Sequence, residues 1–162
     1  MPKVEFFTIG VFGTTQTSFF NALQKHKITH FCDIRQRRGL RGATYKYANA
    51  TELQKRLGDQ GIEYRYAWDL APTQAVRDVQ VKADKKLGVT ISEREDLAAD
   101  FVAAYRSQIL SKVDIEAFVD RFPRGSRVVL FCVEANPKAC HRSLLAEAIE
   151  NQIGHPVPDI TP

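Results

Sequence analysis

The chain has 162 residues, of which 44% are hydrophobic and 26% charged, and its net charge is a mildly basic +4. This length predicts one domain over residues 1–162. The apolar content excludes a disordered chain, and three cysteines are too few for a fold held together by disulfides. No apolar run approaches the roughly 20 residues that span a bilayer, and the early charge at Glu5 is unlike a signal peptide, so we expect a cytoplasmic protein with reduced thiols and no membrane contact.

Strand and helix patterns alternate through the first half of the chain. Short runs rich in β-branched and aromatic residues predict strands at 4–9, 29–34 and 62–66. Apolar spacing predicts one helix that is capped within residues 14–17 and runs through Leu23, and a second from a capping box at 51–54 to about Gln60. Two segments without a clear period are expected to be irregular: 35–48 and 67–90.

The second half continues the alternation. A capping box at 92–95 predicts the start of the clearest helix. Its apolar residues recur every four positions, at Leu97, Phe101, Tyr105 and Ile109. Further elements are predicted as a helix over 114–121, a strand over 127–132, a last helix with its apolar face at Leu144, Leu145, Ala148 and Ile149, and a short strand over 157–160.

This order of elements predicts the fold class. Strands that alternate with helices imply crossover connections, and therefore an α/β fold with a mainly parallel sheet of about five strands and helices on both faces. In such sheets ligands bind beyond the carboxyl ends of the strands. Candidate site residues are therefore expected directly after Ile9, Ile34, Tyr66 and Cys132.

A basic loop follows the second predicted strand. No acidic residue lies between Asp33 and Glu52, whereas five cations do: Arg35, Arg37, Arg38, Arg41 and Lys46. Guanidinium groups match phosphate oxygens in a bidentate way, so the arginines are candidates for binding phosphate or nucleic acid. Tyr45 and Tyr47 either stack on a base or pack inward. The alternative is a solvated loop whose arginines pair with nearby carboxylates.

Asp33 lies at the end of the same strand and has two interpretations. The first is an ion pair with Arg35 that shapes the loop. The second is a catalytic acid or base, which would orient Glu134 or share its proton.

The strongest predicted strand leads into a segment rich in reactive groups, residues 132–142. Asn136 is a natural helix cap and Pro137 a natural first residue, which places Cys140, His141 and Arg142 in or just after the first helical turn. Helix N-termini attract anions and favour thiolates. Cys140 is therefore a candidate nucleophile or redox partner, and Glu134 a candidate general acid or base. The anion-binding candidates here are His141 and Arg142.

The spacing of these residues argues against a metal site. Cys132 and Cys140 are eight positions apart and no second close pair of ligands exists. Consecutive helical side chains such as those of Cys140 and His141 point about 100° apart. Cys132 ends an apolar strand and is expected to be a buried core thiol. We therefore expect no metal and no cofactor.

Several of these segments resemble one family. They are Thr8-Ile9-Gly10, Asp33-Ile34-Arg35, Gly61-Ile62-Glu63-Tyr64, Cys132-x-Glu134 and Cys140-His141-Arg142. Together they resemble the family of the domain of unknown function 488. The resemblance implies a compact α/β domain of about this length and supplies no reaction. The chain departs from the family pattern in its expanded arginine run and at Asp159, where the family tends towards histidine.

Three functional hypotheses follow, and whether the protein is catalytic stays open among them. The first is an enzyme or enzyme-like domain acting on a phosphate-bearing substrate, a nucleotide or nucleic acid, at the carboxyl edge of the sheet. The second is a non-catalytic nucleic-acid-binding module that uses the basic loop. The third is a thiol-based redox or sensor protein that uses Cys132 and Cys140, together with Cys32.

Overall fold

A computed structural model describes residues 3–91 and 93–162 of the chain. These residues form a five-stranded, entirely parallel sheet and six α-helices. The strands are β1 (Glu5–Ile9), β2 (His30–Asp33), β3 (Glu63–Tyr66), β4 (Arg127–Phe131) and β5 (Asp159–Ile160). The helices are α1 (Gln16–Lys25), α2 (Ala50–Asp59), α3 (Gln74–Leu87), α4 (Ala99–Gln108), α5 (Ile115–Asp120) and α6 (Arg142–Ile153). The α/β fold class predicted from the alternation is confirmed.

The order of the strands is β3-β2-β4-β1-β5, so β4 lies between β1 and β2. Phe131 at the end of β4 pairs with Ile9 of β1 and with Asp33 of β2. The three central strands therefore end at the same level. Their register brings the loops after β1, β2 and β4 together at one edge of the sheet.

Aromatic side chains cover both faces of the sheet. On one face Phe19 of α1 packs against Phe31 and Phe131. On the other face Phe6 packs against two phenylalanines of the α5 region, Phe118 and Phe122. Because β4 is covered on both sides, its residues read as a continuous apolar run rather than an alternating one.

A second, smaller hydrophobic cluster lies between α3, α4 and α6. It contains Val76, Phe101, Tyr105, Ile109 and Leu144. The hydroxyl of Tyr105 donates a hydrogen bond to the carbonyl of Leu70 at 2.7 Å, which ties α4 to the segment after β3. None of the described helices is both long and apolar enough to cross a membrane.

The structure corrects the expectation that residues 67–90 are irregular, since α3 occupies much of this segment. Thr73 caps the helix, and Gly88 ends it in the left-handed conformation. The inward face of α3 carries two buried polar residues, Gln80 and Asp84. The side-chain amide of Gln80 donates a hydrogen bond to the carboxylate of Asp84 at 2.8 Å. Their presence breaks the apolar period from which a helix is recognised.

The expected helix start at 92–95 is also wrong. Ser92 lies outside the described residues, but 93–98 are not helical and α4 begins only at Ala99. The carboxylate of Glu93 accepts a hydrogen bond from the hydroxyl of Thr90. The Thr90–Glu93 contact belongs to a turn, and the non-helical segment 93–98 that follows reaches the carboxyl edge of the sheet.

The capping box expected at 51–54 does not begin its helix either. Helix α2 begins at Ala50, so Thr51 is already helical and cannot cap it. Asn49 precedes the helix, and its side-chain oxygen accepts a hydrogen bond from the backbone of Leu40 at 2.6 Å. This contact anchors the basic loop to the start of α2.

Candidate functional site

A cavity of about 420 Å³ lies beyond the carboxyl ends of β2 and β4. The loops after β1, β2 and β4 form one side, and α3, α4 and the segment 93–98 form the other. The charged and reactive side chains that line it are Arg35, Arg37, Arg41, Arg77, Asp84, Arg94, Cys132, Glu134 and His141. The two widely separated segments that the sequence analysis singled out therefore face one cavity.

Arg35 is the most deeply buried of the arginines that follow β2. Its Nε and Nη2 donate to the two carboxylate oxygens of Asp33 at 2.9 and 2.8 Å, and its guanidinium lies 4.7 Å from the centre of the Phe131 ring. The hydroxyl of Tyr64 donates a further hydrogen bond to Asp33 at 2.7 Å. The remaining nitrogen of Arg35, Nη1, is buried without a hydrogen-bond partner in the described chain.

These contacts support the first interpretation of Asp33, an ion pair with Arg35. Both of its carboxylate oxygens accept hydrogen bonds from Arg35 or Tyr64, and the residue does not line the cavity. No hydrogen bond joins Asp33 to Glu134 in the described chain, and the catalytic role of Asp33 stays a prediction. Asp33 positions Arg35.

Three other arginines reach the cavity from the surface. Nη2 of Arg37 donates to Gln74 at 3.4 Å, and Nη1 of Arg77 donates to Gln36 at 2.6 Å. Arg41 is exposed. Within the described chain, none of these three arginines forms an ion pair with a carboxylate. Their positive charges are therefore not neutralised by the protein.

Three other residues of the segment after β2, Arg38, Tyr45 and Tyr47, contact protein groups outside the cavity. The guanidinium of Arg38 lies 4.2 Å from the ring centre of Tyr66, and Arg38 does not line the cavity. Tyr47 is buried, and its hydroxyl bonds to Thr14. The hydroxyl of Tyr45 accepts a hydrogen bond from the backbone of Gly13 at 2.8 Å. Arg38 therefore lies outside the cavity, its anion contact stays a prediction, and both tyrosines pack inward.

Glu134 lies on the sheet side of the cavity, in the loop after β4, where it is buried beside Arg94. One carboxylate oxygen, Oε1, accepts a hydrogen bond from Arg94 at 2.5 Å, whereas Oε2 is buried without a hydrogen-bond partner in the described chain. Burial and the neighbouring charge of Cys140 raise the pKa of Glu134 to about 7. Arg94 occupies the orienting position that the sequence analysis assigned to Asp33.

The backbone around Cys140 differs from the expected helical turn. Asn136 and Pro137 do begin a turn, but it is a short 3₁₀ turn over Pro137–Ala139 and ends there. Cys140 is extended, with φ −137° and ψ 144°, and α6 begins only at Arg142. Because Cys140 is not helical, the argument that its side chain diverges from that of His141 does not hold.

The two sulfur atoms and the imidazole form a compact buried cluster. Nδ1 of His141 lies 3.9 Å from Sγ of Cys132 and 3.9 Å from Sγ of Cys140. The other ring nitrogen of His141, Nε2, lies 2.9 Å from the carbonyl oxygen of Ile34, to which it donates. Both nitrogens of His141 therefore face protein groups, and its expected anion contact stays a prediction.

Electrostatics distinguish the two thiols. Burial alone would raise the pKa of Cys140, but the thiol of Cys132 and the charge of His141 outweigh burial and hold the pKa well below its usual value. The interaction with Cys140, together with burial, raises the pKa of Cys132 well above its usual value. The expected thiolate at Cys140 agrees with these directions, although Cys140 is 1% exposed and does not line the cavity.

Arg142 holds the loop together. It is completely buried, and it donates to the carbonyl of Glu134 at 2.5 Å, to that of Ala135 at 3.2 Å, and to the carboxylate of Asp159 at 3.3 Å. It does not line the cavity, and its expected contact with an anion stays a prediction. Its role in the described structure is to fix the path of the backbone around Glu134.

The sequence analysis missed three charged residues of the cavity: Arg77, Asp84 and Arg94. Arg94 bridges the carboxylates of Asp84 and Glu134 at 2.8 and 2.5 Å. Arg94 was assigned to the first turn of a helix and Asp84 to an irregular segment. No local pattern marks either residue, because their importance depends on α3 and the segment 93–98 folding over the end of β4.

The fold and the site define a parallel α/β protein with an arginine-lined cavity and a buried thiol–imidazole cluster at the carboxyl edge of its sheet. The family model named "Domain of unknown function DUF488" matches residues 15–149, and the chain belongs to this family. The resemblance seen in the sequence is thereby confirmed. No curated protein and no solved structure gives a significant match to the chain.

Proposed function

We propose that the protein is an intracellular enzyme that acts on a phosphate ester of about nucleotide size, bound in the cavity at the carboxyl edge of the sheet. The observation that carries this proposal is the unpartnered Nη1 of Arg35, a buried nitrogen on a cavity-lining guanidinium. A buried donor without an acceptor costs about 1–3 kcal/mol or more, and an anionic oxygen would satisfy it. Asp33 and Phe131 hold the guanidinium in place for this contact.

The surrounding charge favours a phosphate group. Arg37, Arg41 and Arg77 add three positive charges without carboxylate partners in the described chain, whereas the two acidic residues of the lining, Asp84 and Glu134, are already paired with Arg94. Guanidinium groups bind phosphate through parallel N–H donors. The entrance of the cavity therefore attracts anions.

The remaining wall favours an organic group attached to that phosphate. It is formed largely by apolar side chains: Phe12, Leu40, Pro72, Val81, Ile91, Leu97, Phe101 and Val133. A cavity of about 420 Å³ lies in the range of small-molecule sites and is too small for an extended polynucleotide. A nucleotide, free or at the end of a strand, suits this combination of charged and apolar walls.

Glu134 is the proposed general acid or base. It lines the cavity, it is held by Arg94, and its Oε2 is free to exchange a proton with a bound molecule. Cys132 and His141 lie on the same wall. Cys140 is buried next to these two residues and does not line the cavity, so a thiolate there would act on a bound molecule only through Cys132 and His141.

Replacing the three unpaired arginines tests the binding part of the proposal. The triple variant Arg37→Gln, Arg41→Gln and Arg77→Gln should weaken the binding of a nucleoside monophosphate about 100-fold or more, since charged hydrogen bonds contribute about 1.5–3 kcal/mol each. Binding is measured by calorimetry with nucleoside monophosphates and inorganic phosphate as probes.

A matched control removes three exposed cations elsewhere, Lys3→Gln, Lys55→Gln and Arg124→Gln, and changes the total charge equally. The control should bind the probes as the unmodified protein does. Equal weakening in both variants would show that only net charge matters, and would contradict a phosphate site in the cavity.

Glu134→Gln tests the catalytic part. The variant keeps the shape of the side chain and one hydrogen bond with Arg94, so it should bind nucleotides but fail to convert them, with a loss of about 100-fold or more in rate. Products from a panel of nucleoside mono-, di- and triphosphates are measured by mass spectrometry. Strongly salt-dependent binding of an oligonucleotide, unchanged in this variant and without conversion of any probe, would favour the non-catalytic nucleic-acid-binding module instead.

A further inference from the structure

Three donor atoms converge in the interior wall of the cavity. They are Sγ of Cys132, Sγ of Cys140 and Nδ1 of His141, and they lie within 4.8 Å of one another. Two thiol sulfurs and an imidazole nitrogen are the donors that zinc and related late divalent metals prefer. We propose that these three residues bind one zinc-class divalent ion.

The distances suit such an ion. Nδ1 of His141 is 3.9 Å from each sulfur atom. Two ligands at the usual Zn–S and Zn–N bond lengths in a tetrahedral site lie about 3.6 Å apart. Side-chain movements of a few tenths of an ångström would therefore bring the imidazole nitrogen to bonding geometry with each sulfur, and the two sulfur atoms, which lie within 4.8 Å of one another, would need to reach about 3.8 Å.

The hydrogen bonds around the cluster also resemble those around a metal. Nε2 of His141 donates to the carbonyl of Ile34, so Nδ1, the nitrogen that faces the sulfur atoms, is the one that can give up its proton and bind a metal. A backbone carbonyl that orients a metal-binding histidine in this way is common. The backbone N–H of Arg142 donates to Sγ of Cys140 at 3.5 Å, which favours a negatively charged sulfur.

Glu134 supplies a second, independent observation. Its side chain is 8% exposed, and Oε2 accepts no hydrogen bond from the described chain. Glu134 lines the cavity together with Cys132 and His141. A three-ligand ion keeps one coordination position for water or substrate, and a free carboxylate oxygen beside the ligands can accept a hydrogen bond from a molecule bound there.

The fold explains why the ligands meet although their spacing in the sequence is unusual. Cys132 follows β4 directly, and the 3₁₀ turn at Pro137–Ala139 carries the chain back towards the strand end. The extended backbone of Cys140 then directs its sulfur to the same point as the ring of His141. The inference does not depend on the proposed function, since metal binding needs no substrate.

Titration with cobalt tests the site. Full-length protein is reduced with a non-chelating phosphine, freed of metal with a chelator and titrated with Co²⁺ without oxygen. We expect one equivalent to bind, with a thiolate-to-cobalt charge-transfer band that Zn²⁺ removes. Cys132→Ala, Cys140→Ala and His141→Ala should each lower the affinity at least about tenfold, since loss of even an outer-shell partner costs about 10–100-fold.

Cys32→Ala is the matched control, because Cys32 is equally buried but lies in β2 outside the cluster. It should keep the band and the stoichiometry. Since a ligand variant can fail to fold, thermal unfolding of the unmodified protein gives a second measurement, and Zn²⁺ should raise its melting temperature. Absence of both the band and the shift, or formation of a Cys132–Cys140 disulfide in place of metal binding, would overturn the proposal, the latter in favour of a redox pair.

Discussion

At the scale of single residues, Arg94 is the charged side chain that links α3 to the loop after β4. It lies in a non-helical segment, and its side chain is 8% exposed. Its guanidinium contacts Asp84 of α3, Glu134 after β4 and the carbonyl of Ala139. One arginine therefore forms ion pairs with two buried carboxylates and joins the wall formed by α3 to the wall formed by the sheet.

Arg94→Ala should lower the free energy of unfolding by about 3 kcal/mol, because removal of one partner leaves buried carboxylates without compensation. Urea unfolding followed by circular dichroism measures the change. The control is Arg106→Ala, which removes an exposed ion pair with Glu147 and should change the free energy by about 1 kcal/mol or less. Equal effects of the two substitutions would show that the buried network contributes no more than a surface pair.

At the scale of elements, the loops after β1 and β4 pack backbone against backbone. The amides of Val11 and Phe12 donate to the carbonyl of Val133 at 3.1 and 2.9 Å. A Cβ atom on Gly10 would lie 2.0 Å from the carbonyl oxygen of Glu134. Glycine is required here because the two loops approach too closely for any side chain, and this approach sets the position of Glu134.

Gly10→Ala should therefore lower the free energy of unfolding by about 2 kcal/mol or more, since the backbone of one loop must move. Gly58→Ala is the matched control, because Gly58 lies inside α2 with open space around it, and alanine there should stabilise the helix by up to about 1 kcal/mol. Thermal unfolding of both variants measures the difference. A neutral effect of Gly10→Ala would contradict the close approach.

At the scale of the whole molecule, the cavity separates two regions with different packing. The sheet, α1, α2, α5 and part of α6 share the large hydrophobic core. Helices α3 and α4 rest on the smaller cluster around Phe101 and Tyr105, and polar contacts such as that of Arg94 link them to the sheet. Regions with fewer buried apolar contacts open at lower free energy. The wall formed by α3 and α4 is therefore the less stable side of the cavity.

Hydrogen exchange should reflect this division. We expect the amides of α3, α4 and the segment 93–98 to exchange at least about tenfold faster than those of β1, β2 and β4, because their opening does not require the sheet to unfold. A nucleoside monophosphate bound in the cavity should slow exchange in the first group, because opening of that wall releases the ligand. Mass spectrometry of peptic fragments measures both effects, and uniform exchange through the chain would contradict the division.

The sequence by itself determined the α/β class and the edge of the sheet where reactive groups gather. Strand β4 was recognisable because a strand buried on both faces is apolar throughout, and α1 because its apolar residues follow the helical period. Arg35, Arg37, Arg41 and Glu134 were found because the register of a parallel sheet places residues after neighbouring strands at one edge. These inferences depend on local patterns and on topology, which a single sequence contains.

Only the tertiary structure decided the partners within that edge. Arg94 and Asp84 belong to segments whose local patterns predicted other structures, and they meet Glu134 because α3 and the segment 93–98 fold over β4. The convergence of Cys140 with His141 depends on one extended backbone conformation, which the helix-capping pattern of Asn136 and Pro137 did not predict. Such contacts join residues far apart in the chain, and their free energies come from burial and charge pairing that exist only in the folded protein.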